Sequence, residues 1–141
     1  MFGFGKKKKV EYDVNIVEKV AAEAEKYYRS GRMNCAEAVL AAVTRNLMPE
    51  AGDGMLGMAA GFGGGSGAGC ICGAVVGGTM AFGLILGNDK TLAKRLTREL
   101  QRWFREEYGA TCCKVVLKTH GKKCFELTGK VTGKVVEMLQ T

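Results

Sequence analysis

A chain of 141 residues with 47% hydrophobic side chains and a single proline suits one globular domain with a real core, and it excludes a disordered chain. Twenty-one Lys and Arg against 14 Asp and Glu give a formal net charge of +7, which suits an acidic partner, nucleic acid, an anionic surface, or solubility alone. Six cysteines with no Cys-x-x-Cys remove the main signatures of zinc ribbons, thioredoxins and c-type haem attachment.

Residues 1–9 read as a flexible basic tail, and residues 10–141 as one helical domain. The tail has no apolar stretch behind its lysines, so no secretory signal is expected and a cytoplasmic location is. Val10, Val14, Val17, Ala21, Ala24 and Tyr28 recur at alternating spacings of four and three, which predicts an amphipathic helix ended by Ser30-Gly31. Asn34 caps a second helix, with Glu37 as its capping-box partner. Pro49 to Gly54 reads as a loop, and Met55 to Ala60 as one or two helical turns.

The stretch from Gly54 to Asn88 carries no charge and holds 13 of the 21 glycines. Gly61 to Gly69 reads as a glycine-rich loop running into a buried helix, Ile71 to Leu86. That helix is too short and too rich in glycine to span a membrane. Gly69, Gly73 and Gly77 form a stripe of small residues that would let another helix approach closely, within the chain or across a homodimer.

Asp89 or Thr91 caps a long helix to Tyr108. Leu92, Leu96, Leu100, Trp103 and Phe104 mark its buried face, and Lys90, Lys94, Arg98, Arg102 and Arg105 an exposed stripe. That stripe fits docking of an acidic redox partner, and no nucleic-acid motif accompanies it. Gly109 stops the helix. Lys114 to Thr119 is either a helical turn or a short extended piece. Cys124 starts a last helix with Leu127, Val131, Val135 and Met138 inward, weakened by Gly129 and Gly133.

Cys35, Cys72 and Cys124 each fall in the first turn of a predicted helix, and Cys113 follows the break at Gly109. Converging helix N-termini build a positive pocket lined with sulfur, where Cys72 is biased toward thiolate. Such a pocket suits an anionic iron–sulfur cluster. The alternative is that cysteine serves as a small buried residue. His120, the one histidine, reads as a solvated loop residue. No paired carboxylates and no nucleophile motif point to hydrolase or transferase chemistry.

Cys72-Gly73-Ala74-Val75-Val76-Gly77 is an intact Cys-Gly-Ala-x-x-Gly motif. Asn34-Cys35-Ala36-Glu37-Ala38-Val39 precedes it, Gly61-Phe62-Gly63-Gly64-Gly65 supplies a glycine loop, and Tyr108-Gly109 with Cys113, then Cys124-Phe125-Glu126-Leu127, follow. In order, spacing and length the chain resembles the C_GCAxxG_C_C family of small redox-active proteins. A related domain in split-Soret cytochromes accompanies an iron–sulfur centre and a dimeric helical fold. The resemblance implies a single-domain, all-α protein that holds an iron–sulfur cluster on Cys35, Cys72, Cys113 and Cys124. The backbone of Gly64, Gly65, Gly69 and Gly73 would line the pocket. Cys70 and Cys112 are additions to the family pattern and are possible further ligands. The expected activity is one-electron transfer. The alternatives are a thiol–disulfide protein with Cys72 as nucleophile, and a basic interaction module with structural cysteines.

Overall fold

In the computed structural model, which describes residues 13–140, the chain forms six α-helices, joined by short turns except between α2 and α3, where residues 48–72 intervene. No β-ladder longer than one isolated bridge occurs among the described residues. The expected tail, residues 1–9, lies outside them, as does Val10, where the first helix was expected to begin.

Helix α1 (Val14–Arg29) is capped by Asp13, whose carboxylate accepts the Asn15 N–H at 2.9 Å. It ends at Ser30, followed by Gly31 at φ +77°. Helix α2 (Cys35–Leu47) starts with a complete capping box. The Asn34 side chain accepts the Glu37 N–H at 2.8 Å, and the Glu37 carboxylate accepts the Asn34 N–H at 3.0 Å. From Ala38 to Thr44 every residue of α2 is buried, so α2 is the axis of the core. Arg45 then forks onto Asp53 with two bonds of 3.0 Å, tying the following turn back to α2. A 3-10 segment, Leu56–Phe62, leads into the glycine loop.

Helix α3 (Gly73–Leu86) begins two residues later than the apolar run suggested, because Gly69 to Cys72 remain loop. Its first half is buried, and its glycines are spent on contacts within the chain. A Cβ on Gly77 would lie 2.5 Å from the Ala36 carbonyl oxygen, and one on Gly78 would lie 2.8 Å from Val135. The stripe read as Gly69, Gly73 and Gly77 is therefore shorter than expected. Gly69 stands outside the helix at φ +73°, against the Lys114 side chain, and the other two face α2.

Helix α4 (Lys90–Tyr108) is capped by Asp89 at the Leu92 N–H, 2.9 Å, and ends at Gly109 in the left-handed conformation. Leu96, Leu100 and Phe104 are buried, while Leu92 and Trp103 are half-buried. The five cations of the predicted stripe are all exposed. Among the described residues none of the five forms an ion pair; only Arg95 on this helix does, with Glu99 at 3.5 Å.

The ambiguous segment after Gly109 is helical, α5 (Cys113–His120), and ends at Gly121. Helix α6 (Cys124–Leu139) runs unbroken through Gly129 and Gly133. Both glycines cost helix propensity; a Cβ on Gly129 would crowd the Ala21 carbonyl of α1 at 3.3 Å, whereas one on Gly133 would make an ordinary contact, 3.5 Å from Val17. Phe82, Phe104, Leu40 and Leu100 are the largest fully buried side chains, each worth roughly 1.5–3 kcal/mol on burial. No helix among the described residues is long and apolar enough to cross a membrane.

Candidate metal centre

Four cysteines open four different helices. Cys35 is the first residue of α2, Cys72 is the N-cap of α3, Cys113 is the first residue of α5 and Cys124 is the first residue of α6. The loops before those helices bring the four starts to one end of the bundle.

Residues 70–72 run antiparallel to residues 111–113 through the Ile71–Cys112 bridge. The Cys72 N–H donates to the Thr111 carbonyl at 2.8 Å, and the Cys113 N–H donates to the Cys70 carbonyl. This short pairing fixes the start of α3 beside the start of α5. The glycine loop then lies against both of them and against α2. Gly65, at φ +67°, leaves room for a Cys113 Cβ that would be 2.7 Å from a Cβ on residue 65. A Cβ on Gly73 would fall on the Cys35 sulfur and 2.6 Å from the Phe62 carbonyl. At Gly63 the same test meets Asn34 at 2.7 Å, and the Asn34 amide donates to the Ala60 carbonyl at 2.9 Å. The residue that caps α2 thus also anchors the loop.

The loop backbone is unusual. Gly64, Gly65, Ser66, Gly67 and Gly69 all have positive φ, and Ser66, at φ +61° and ψ +35°, is the one non-glycine residue among the described residues to do so. Successive left-handed residues turn their N–H groups to one side, a concavity that favours negative charge. The Gly64 N–H favours the charged form of Cys35, as the Ala74 and Val75 N–H groups favour that of Cys72.

The thiols are perturbed in the direction opposite to the one expected from helix N-termini. Burial, then the neighbouring Cys35, push Cys72 up to about 12, despite the amides of Ala74 and Val75. Cys35 is raised by burial and by Cys124 and Cys113, with the Gly64 amide working against the rise. Cys113 is raised by burial and then by Cys124 and Cys112. The expected thiolate bias at Cys72 is therefore corrected. The amide dipoles do favour the anion, but removing water from a thiolate costs more than one helix end returns.

The same couplings show which sulfurs share the space. Cys35 feels Cys124 and Cys113, Cys72 feels Cys35 and Cys113, and Cys113 feels Cys124. Cys70 lies on the exposed side of the loop, and Cys112 is half-buried with its Sγ 3.1 Å from the Gly69 carbonyl. Among the described residues no three Cys, His, Asp or Glu side chains stand close enough to hold a single metal ion. A mononuclear thiolate centre, with sulfurs ~2.3 Å from one metal, is thus not preformed. A cluster of several irons shares four cysteines among its irons and would need no three sulfurs on one metal. The donor set fits that kind of group: four thiols, no carboxylate among them, and amides aimed at sulfur.

Two tyrosines of this region were not read from the sequence. Burial, the charge of Cys124 and a hydrogen bond to its side chain push the Tyr28 hydroxyl up to about 12. Tyr108, also pushed up to about 12, is raised by burial and by Glu107, and Cys72 acts on it as well. Both tyrosines sit in the last turn of their helices. Tyr28 was legible only as one more apolar position of α1, since a helical stripe records which face is buried and not what the polar tip meets. His120 stays outside the cysteine group, exposed, with Nε2 3.1 Å from the Tyr108 carbonyl.

Comparison with curated proteins and with solved structures gave no match. A family model described as "Putative redox-active protein (C_GCAxxG_C_C)" matches residues 33–138, which includes all six cysteines and every helix but α1. The chain is therefore a member of the C_GCAxxG_C_C family of redox-active proteins.

Proposed function

We propose that this protein binds an iron–sulfur cluster through Cys35, Cys72, Cys113 and Cys124 and uses it for one-electron transfer. The observation that carries the reading is the gathering of four thiols from four helix starts, each acting electrostatically on others of the group, with the Gly64 amide of the loop acting on Cys35. When bound, the cluster would supply a reversible one-electron couple. The chain's own part is to hold four sulfurs, to exclude water by burying Cys72 at 6% exposure, and to donate the Gly64, Ala74 and Val75 N–H groups to sulfur. Such N–H···S bonds stabilise the more negative state and so raise the potential. The exposed cations of α4 would receive an acidic redox protein. A homodimer is part of the proposal, with a face other than the internal glycine stripe as its interface.

Thiol–disulfide cycling with Cys72 as nucleophile is the weaker reading. A nucleophile works as an accessible thiolate. Cys72 is buried and its thiol is pushed up to about 12.

The test is anaerobic reconstitution with iron and sulfide, followed by iron and acid-labile sulfide analysis and electron paramagnetic resonance. We expect stoichiometric iron and a cluster signal that Cys35→Ser or Cys124→Ser abolishes. A chain that stays colourless and iron-free after reconstitution refutes the cluster. Reversible loss of thiols in pairs without metal supports the disulfide reading instead.

A further inference from the structure

A hollow of about 220 Å³ lies between the end of α4, the second half of α5 and the first two turns of α6. Gly121, at φ +74°, reverses the chain so that the end of α5 and the start of α6 face each other across it. Its floor is apolar: Val116 and Leu127 are buried, and the Tyr108 ring closes one side. The His120 ring forms a fixed wall, held by its bond to the Tyr108 carbonyl and packed edge-on against the Tyr108 ring, with centroids 5.4 Å apart at 86°. Lys123, Lys130 and Glu126 form the rim, and Cys124 borders the inner end. Neither lysine forms an ion pair among the described residues.

We propose that this hollow binds a small organic monoanion, a short-chain carboxylate, with its tail on the Val116–Leu127 floor and its carboxylate between Lys123 and Lys130. The two lysines against Glu126 leave one positive charge at the rim, which balances one negative charge and disfavours a dianion. The size restricts the occupant to a few carbons, since the cavity is below the ~300–1,000 Å³ of drug-sized pockets. Lys123, the N-cap of α6, makes no side-chain capping bond, so the first-turn N–H groups of that helix add donors on the same side. The bound anion would stand beside Cys124, the one cysteine that lines the hollow. The proposal rests on side chains outside the cysteine group, so it survives or fails separately from the cluster reading.

The experiment is an amide NMR titration of the full-length, reduced chain with butyrate, and in parallel with inorganic phosphate and butylammonium. We expect saturable butyrate shifts centred on Gly121, Lys123 and Cys124, weaker phosphate binding, and no response to butylammonium. Lys123→Gln and Lys130→Gln should each weaken butyrate about tenfold, the worth of one charge-assisted contact. Lys94→Gln, on the far stripe of α4, should leave it unchanged. Absence of saturable shifts, phosphate binding as tightly as butyrate, or full affinity in both glutamine variants would overturn the proposal. Because both lysines are exposed, their loss leaves the fold intact and the result readable.

Discussion

Replacing Gly77 by Ala tests how closely α2 and α3 must approach for the cysteines to meet. The added methyl would lie 2.5 Å from the Ala36 carbonyl oxygen, 3.1 Å from the Ala36 Cα and 3.1 Å from the Val39 Cβ. The nearest of these atoms is backbone, so no rotamer change relieves the clash and the two helices must separate. Two effects oppose each other. Alanine gains about 1 kcal/mol of helix propensity over glycine. Overpacking costs about 1–3 kcal/mol, and contact with a rigid backbone belongs at the upper end of that range. The net expectation is a loss of about 2 kcal/mol. Gly83→Ala is the matched control, because a Cβ there meets nothing within 4 Å and should gain about 1 kcal/mol from propensity. Urea denaturation of both variants measures the difference, with an unchanged m-value as the check that the midpoints report stability. Ala36 follows Cys35, so Gly77→Ala should also lower iron retention after reconstitution. A Gly77→Ala protein as stable as the parent, or a Gly83→Ala protein equally destabilised, would refute the reasoning.

Ser66→Gly should stabilise the chain by about 1 kcal/mol in the same denaturation assay, because a left-handed backbone costs serine roughly that much and glycine nothing. Cys70→Ser and Cys112→Ser should leave reconstituted iron content unchanged, whereas serine at any of the four cysteines at helix starts should lower it; iron analysis separates the two sets. The metal-free, reduced chain should lose stability as pH rises. Cys72 holds its proton in the folded state up to about 12 but releases it from about 9 when unfolded. Its contribution is fully present below about 9 and is lost progressively toward 12, which thermal melts across that range would follow.

The helices were legible where sequence carries local instructions. Asn34 with Glu37 and Asp89 before α4 announce helix starts by chemistry that acts within three residues; the Asn34 cap forms as read, and Asp89 takes the cap left open between it and Thr91. The glycines that weakened the reading of α6 mark where α1 comes closest, information that resides in the partner helix and not in the segment itself. The stripe through Gly69 failed for a similar reason. Spacing of four implies one helical face only if the helix already runs, and Gly69 adopts the positive φ of the loop.

Placement and chemistry of the cysteines were legible to different degrees. Position at a helix start follows from breaks and caps, and all four cysteines lie there. The expectation that such a start makes a thiolate ignored burial, because exposure is decided by distant segments. Here Cys72 is buried, and the sulfurs of neighbouring helix starts raise the cost of its ionising. Cys72 is buried and Cys35, Cys113 and Cys124 are half-buried, and a thiolate at Cys124, Cys113 or Cys35 raises the cost of ionising a neighbour, a cost that a shared cation would offset. The burial that makes Cys72 a weak nucleophile therefore supports the proposed cluster over thiol–disulfide cycling. The Gly64 amide of the loop, with those of Ala74 and Val75 at the start of α3, favours the charged form of sulfurs that burial disfavours.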